Sequence, residues 1–330
     1  MRGVSVIGVG MIPFGKFPDR SLADLGWPAV QAAVKDAGID PRLIEAAYCG
    51  TALGGMMAGQ RILARIGLTG IPITNVENAC SSSSTALRQG VMAIRSGEYD
   101  VVLVIGVEKL TKFGGGTLPL EDEDWEVSQG MVMPALYAMR ANRYMHDFGL
   151  TREQLALVSV KNRRNGVLNP DAQMRKEVSV GEVLASRPVA DPFTLLQCCP
   201  TGDGAAAVLI CSSKIARRFR SDPVAVRASD LTSGRYTPGF RDMTIPEITV
   251  RGAHEAYEEA GLGPDDINLA EVHDAFSIAE LLYYEAFGFC ARGEAGARQV
   301  PGAKVGLSHA TGGGISGFDH GACSIHIFSR

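Results

Sequence analysis

The chain has 330 residues, 46% of them hydrophobic and 21% charged, the balance of an ordinary soluble globular protein with room for two core-sized units or one large one. A formal net charge of −4 supplies no electrostatic footprint for nucleic acid or for an acidic membrane surface. Seven cysteines, an odd number with no Cys-x-x-Cys pair, argue against a zinc ribbon in this chain and read as reduced thiols in a cytoplasmic setting.

Val4 to Gly10 reads as a buried strand ending in a turn. Its Gly8-x-Gly10 pair suggests a dinucleotide fingerprint, but Pro13 stands in the third glycine's place and no helix opens there, so NAD binding is not expected. The same glycines and Pro13 interrupt the apolar N-terminal run, against a secretion signal. Ser21 to Ala37 is a helix candidate capped by Gly38, and Ala46 to Thr51 a short strand. Gly54 to Gly70, with Met56 and Met57, reads as a mobile or partner-facing segment.

An extended segment from Ile73 to Asn78 then runs into Cys80 and four serines, Ser81 to Ser84. Ala86, Leu87, Gly90, Val91 and Ile94 follow at helical spacing, and Gly97 closes the run. Serines suit a helix N-terminus, where their hydroxyls cap free N–H groups. Cys80 is therefore expected at a strand-to-helix corner, where the helix dipole lowers a thiol pKa and favours a thiolate nucleophile. A buried, inert cysteine is the alternative.

Asp100 to Glu108 is a clear buried strand, too short to span a bilayer. From Thr111 to Ser186 the pattern changes to a glycine-rich, then acidic, then helical segment (Met133–Phe148 and Arg152–Arg164), expected as an insertion rather than a core layer. Its cations Lys161, Arg163, Arg164, Arg175 and Lys176 form either a phosphate-binding cluster or a solvated basic face. The chain returns to the core at Asp203–Cys211. Cys49, Cys198, Cys199, Cys211 and Cys323 read as structural.

The second half repeats the first. Ala33–Pro41, with Ile44 and Ala47, superposes without gaps on Ala256–Pro264, with Ile267 and Ala270. Each copy is a helix, a glycine cap, a proline turn and a strand, the mark of a duplicated α/β unit. About 50 residues separate Gly50 from the Val101 strand, but only about 30 separate His273 from its counterpart near Val305. The second copy has no counterpart to the Cys80 corner and its helix.

Four pieces in order resemble the thiolase superfamily over nearly the whole chain, best in the branch of sterol-carrier-protein-type thiolases: Asn78-Ala79-Cys80-Ser81-Ser82, Asp203–Ala207, Glu271-Val272-His273-Asp274-Ala275-Phe276 and Ser308–Gly314. The resemblance implies a duplicated, five-layered αβαβα fold: an N-terminal half over 1–222 with a loop domain inserted at about 111–186, and a shortened C-terminal half over 223–330. It also implies coenzyme A thioester chemistry, with coenzyme A as substrate, no metal or redox cofactor, and a homodimer in the cytoplasm. By motif match Cys80 is the nucleophile, the N–H groups of Cys80 and Gly312 form the oxyanion hole, and His273 polarises the enolate-forming thioester oxygen; in isolation His273 also reads as a core histidine.

Three departures stand out. Ala275 and Ala310 occupy positions where relatives carry cysteines, and the Gly-His-Pro motif whose histidine activates the nucleophile is absent, its place falling in the gap that the repeat exposes. His309, beside the oxyanion-hole glycines, is the candidate base. The gap belongs either to a natural variant whose base comes from elsewhere or to a sequence that has lost a segment. The expected activity is β-ketoacyl-CoA thiolysis or the reverse condensation through an acyl-cysteine. The alternatives are a retro-aldol lyase acting on a β-hydroxyacyl-CoA and a non-catalytic subunit that depends on a small zinc-ribbon/OB-fold partner.

Overall fold

The computed structural model describes residues 2–120, 123–235, 238–239, 241–298 and 322–329. The Val305 strand, the Ser308–Gly314 motif with His309, Ala310 and Gly312, and His320 lie outside them. The chain opens with β1 (Val4–Met11) and α1 (Leu22–Ala37). Ser21 starts α1 as expected: its Oγ accepts from the Asp24 N–H at 3.2 Å, and the Asp24 carboxylate accepts from the Ser21 N–H at 3.1 Å. Gly38 ends the helix at φ 64°, a left-handed conformation that favours glycine. Next come β2 (Ala46–Gly50), α2 (Ala58–Leu63), β3 (Ile73–Val76), α3 (Ser82–Ser96) and β4 (Val101–Lys109). The Gly54–Gly70 segment is only partly solvent-facing: Met56 and Met57 are exposed, but Ile62 and Leu63 of α2 are fully buried in the core that contains α1.

After β4 the chain leaves for α4 (Trp125–Ser128), α5 (Met133–Phe148), α6 (Arg152–Leu168), α7 (Val180–Ala185) and the two-stranded pair β5 (Pro188–Ala190) and β6 (Phe193–Thr194). It rejoins in β7 (Asp203–Ser212), followed by α8 (Ser213–Ala216), β8 (Val224–Ser233), α9 (Glu247–Ala260), α10 (Ser277–Ala286), α11 (Ala295–Arg298) and β9 (Ala322–Ser329). The main sheet is mixed, in the order β3-β2-β4-β7-β1-β8-β9, with β2 parallel to both β3 and β4.

Alternation along β4 builds the layers. Leu103 and Ile105 join Leu25, Ala29 and Ala33 of α1 on one face, while Val102 and Val104 join Ala86, Val91 and Ile94 of α3 on the other. Beyond α3, Ala256 and Ala260 of α9 pack on Ala228 and Ile327 of β8 and β9. Arg95 of α3 pairs with Glu259, and Arg88 donates to the Ser229 carbonyl, tying α3 to the second half. This is the expected layered α/β fold; among the described residues the second half contributes β8 and β9 to the sheet.

The repeat holds through the helix, its glycine cap (Gly261, φ 66°) and the turn Pro264–Asp266, which match α1, Gly38 and Pro41–Leu43. It stops at the next element. β2 is held by neighbours on both sides, whereas residues 267–274 form no strand among the described residues, and the Val305 strand expected beside them lies outside those residues. The inserted helices share a core with the second half: Tyr137, Leu155 and Val158 cluster with Phe276, Ile278 and Leu281.

Asp203, fully buried, fastens the point where the chain re-enters the sheet. Its carboxylate accepts from the Phe17 N–H (2.9 Å), the Thr111 N–H (2.9 Å) and Thr111 Oγ1 (2.5 Å). Burial alone would raise this carboxyl, but the Thr111 and Phe17 hydrogen bonds hold it below its ordinary range. Asp203→Ala strands those donors, and denaturant midpoints should fall by the equivalent of about 2–3 kcal/mol. No described helix is long and apolar enough to cross a membrane.

Candidate active site at the Cys80 corner

Cys80 sits in a single tight turn, Ala79–Ser81, between β3 and α3. Ala79 has φ 46°, a left-handed conformation that is uncommon for a residue with a Cβ. The turn is held from several sides: the Glu77 carboxylate accepts the Ala79 N–H (2.7 Å), Ser82 Oγ accepts the Asn78 N–H (2.8 Å), and the Asn78 amide donates to Thr85 Oγ1 (2.9 Å). The serines were expected to cap free N–H groups. Ser82 does so for Asn78, and the hydroxyls of Ser81, Ser82 and Ser84 also donate back to the carbonyls of Asn78, Ala79 and Ser81, binding the turn to the helix. Gly50 and Gly106 let this helix start rest on the ends of β2 and β4. A Cβ on Gly50 would lie 2.4 Å from the Ser82 carbonyl oxygen, and one on Gly106 would lie 2.4 Å from Ser83 Oγ.

Cys80, Thr51, Ser83, Glu108 and His273 line a cavity of about 400 Å³ at these strand ends. Glu108 braces its rim by accepting from the N–H groups of Ala52 (2.8 Å) and Leu53 (3.2 Å). Burial pushes the Cys80 thiol well above its ordinary range, and Cys199 and Glu108 add to the shift. The expected lowering is thus overturned: desolvation of the thiolate exceeds what the helix start supplies, so Cys80 needs a base or a bound substrate to ionise.

The fold brings His273 to Cys80 from the other half of the chain. The Cys199 N–H donates to the Ala275 carbonyl at 2.9 Å, stitching the Cys198-Cys199 loop to the motif that contains His273. Cys199, read from sequence as structural, therefore belongs to the site. Behind His273 lies a buried acid network. The Asn162 amide donates to Glu280 Oε2 (2.9 Å) and Asp274 Oδ2 (3.2 Å), and Lys161 pairs with Glu280 and donates to the Tyr284 hydroxyl (3.0 Å). Burial and the adjoining Glu280 hold Asp274 well above the usual carboxylate range, which favours its uncharged form, and Lys161 is the cation paired with Glu280. The Lys161–Glu280 contact shows that the basic cluster is neither wholly solvated nor wholly free for phosphates.

His326 of β9 reaches the nucleophile helix. Its Nε2–H donates to the Ser84 carbonyl and its Nδ1 accepts from Ser229 Oγ, each at 3.0 Å. Burial, reinforced by Arg88 and opposed by the Ser84 bond, lowers its pKa from 6.5 to about 4. Between those values the unfolded chain binds more protons than the folded one. Stability should be fully present above pH 6.5 and fall by about 3 kcal/mol as pH drops toward 4, and His326→Gln should flatten that slope in pH-dependent denaturation.

Sequence reasoning thus placed Cys80 and His273 at one cavity, and His309 and Gly312 lie outside the described residues. It did not foresee the contacts that Cys199, Lys161, Glu280 and His326 make around this site. The adjoining His273-Asp274 pair was the one local hint of the acid network; the other contacts join residues far apart in sequence.

The family described as "Thiolase, N-terminal domain" matches residues 4–214, and "Thiolase C-terminal domain-like" matches residues 232–298. The chain is 39% identical to an acetyl-CoA acetyltransferase of Methanothermobacter thermautotrophicus, covering all of both proteins. It is 43% identical to the benzoylsuccinyl-CoA thiolase subunit BbsB of Thauera aromatica, over 89% of this chain and 77% of that one. It is 33% identical to human sterol carrier protein 2, over 94% and 70%. The first alignment runs over 388 positions against 330 residues here, so about 58 positions of the relative (388 − 330) face gaps. Among solved structures, the Ltp2-ChsH2(DUF35) aldolase superposes with a TM-score of 0.81 at 26% identity, covering 92% of this chain and 83% of that one. Human mitochondrial 3-ketoacyl-CoA thiolase, 18% identical with a TM-score of 0.74 over 99% and 98%, shares the fold.

Proposed function

Because the chain belongs to the thiolase superfamily, as a thiolase-type acyltransferase of the branch related to sterol carrier protein 2, we propose that it cleaves a β-ketoacyl-CoA with coenzyme A, or runs the reverse condensation, through Cys80. The supporting observation is the cavity that Cys80 and His273 line together. Cys80 gives up its thiol proton, and Sγ forms the bond to the keto carbon. The carbon–carbon bond then breaks, leaving its electron pair on the acetyl-CoA enolate. His273 holds the enolate's thioester oxygen; the enolate takes a proton and departs, and the thiol of coenzyme A accepts the acyl group. His309 is the proposed base, and the N–H groups of Cys80 and Gly312 the proposed oxyanion hole. The reading takes 1–222 and 223–330 as the two halves, a cytoplasmic homodimer as the working form, and a small zinc-ribbon/OB-fold protein as an additional partner. The test is intact-mass analysis after incubation with a short β-ketoacyl-CoA, followed by peptide mapping. An acyl adduct on Cys80 is expected, and a folded protein that stays unmodified would sink the proposal.

A second reading, retro-aldol cleavage of a β-hydroxyacyl-CoA, draws on the likeness to the Ltp2-ChsH2(DUF35) aldolase and on the raised Cys80 thiol. Cleavage that needs neither free coenzyme A nor Cys80 would favour it.

A further inference from the structure

His273 separates the Cys80 cavity from a second pocket of about 70 Å³ between α6 and the start of α10, lined by Arg163, Gln197, Cys199, Asp274 and Ser277. Among the described residues, three donors there have no acceptor. Arg163 is half-buried and makes no hydrogen bond or ion pair among the described residues, and burial lowers its pKa. Gln197 is 4% exposed; its Oε1 accepts from the Thr194 N–H at 3.1 Å, and its Nε2 has no partner. Ser277, 3% exposed, is the first residue of the ten-residue α10, and its Oγ also has no partner. A desolvated guanidinium without a counter-ion, two buried donors without acceptors and a helix N-terminus on one small pocket are complementary to a planar anion. The volume suits a carboxylate, or about two waters at roughly 30 Å³ each. Asp274 also lines the pocket; burial and the neighbouring Glu280 raise its carboxyl, which favours the uncharged form and weakens its repulsion of such an anion.

We infer that this pocket is an acyl-group subsite that takes the free carboxylate of a dicarboxylic acyl-CoA thioester, its acyl chain running from Cys80 past His273 to Arg163, Gln197 and Ser277. The inference rests on the coenzyme A thioester reading above and narrows its substrate class. The phosphates of coenzyme A are the other source of negative charge, but the pantetheine arm holds them far from the thioester, whereas this pocket adjoins His273.

The test is calorimetric binding of succinyl-CoA, butyryl-CoA and coenzyme A alone to the full chain and to Arg163→Met and Arg163→Lys. Succinyl-CoA is expected to bind about ten- to a hundredfold tighter than butyryl-CoA. Arg163→Met should abolish that preference without changing butyryl-CoA affinity, and Arg163→Lys, which restores a point charge, should keep part of it. Equal affinity for the two thioesters in the parent protein would overturn the subsite and leave the thioester reading intact. A preference that survives Arg163→Met would also overturn it. Equal weakening of all three ligands by Arg163→Met would assign Arg163 to the phosphates and overturn it too. Failure of the parent protein to bind any of the three would overturn the thioester reading, and the subsite with it.

Discussion

Replacing Cys80 with alanine will remove the acyl adduct and lower β-ketoacyl-CoA turnover by at least about a thousandfold, while leaving the fold intact. The fold should survive because the corner is held by backbone and serine hydrogen bonds that do not use the thiol: Glu77 to Ala79, Ser82 to Asn78 and Ser82 to Ala79. The same geometry predicts how the free thiol behaves. Burial beside Cys199 and Glu108 holds Cys80 well above its ordinary range, so only a small thiolate fraction exists at neutral pH. Alkylation of Cys80 by iodoacetamide should therefore climb about tenfold per pH unit from 7 to 9, with no plateau. A plateau near pH 7 would mean that a base already ionises the free enzyme. Addition of acyl-CoA should not accelerate the Cys80→Ala protein at any pH. If that variant keeps cleaving substrate without coenzyme A, the retro-aldol reading gains what the thiolase reading loses.

What could be read from the chain depended on whether its cause was local. The capping of α1 by Ser21 and Gly38 and the continuous apolar run of β4 are properties of a few adjacent residues, and both stand in the structure. The Cys80 corner was legible for the same reason, since a strand, a cysteine and a serine-led helix follow one another. The ionisation of that cysteine was not, because it depends on burial first and then on Cys199 and Glu108, all of which only the fold sets. The repeat predicted α9 and its cap correctly, while the strand it predicts near Ile267 and Ala270 does not form among the described residues, its expected neighbour lying outside them. Lys161 and Arg163 looked alike on a basic stretch. One turned inward to a carboxylate 119 residues away, and the other faces a pocket with no counter-ion. His326 lay beyond such reasoning, because nothing around it marks a contact with Ser84 across 242 residues.

The Lys161 contact is expected to carry a large share of the stability of the inserted helices. Glu280 is 1% exposed, and Lys161 is the cation paired with it. Lys161→Met would leave a buried carboxylate beside Asp274 with its countercharge gone, which should destabilise the protein by about 3–5 kcal/mol in urea titrations. Most of that loss is the penalty of an uncompensated charge rather than the worth of the ion pair. Lys161→Met combined with Glu280→Gln should therefore recover most of it, because the amide removes the charge, its oxygen can still accept from Asn162, and its NH2 can donate to the Tyr284 hydroxyl once Lys161 no longer does. The sign of the pH dependence separates this from a simple packing defect. A buried carboxylate stripped of its countercharge is least costly to the fold when it is protonated. The deficit should then shrink as pH falls from 7 toward 5 and grow as pH rises, whereas a cavity left by a lost side chain would cost the same across that range. Since Asp274 and His273 adjoin in sequence, the same substitution should also disturb the wall between the two pockets. Recovery of Cys80 acylation in the double variant, together with its stability, would show that charge balance behind His273, rather than Lys161 itself, keeps the site in order.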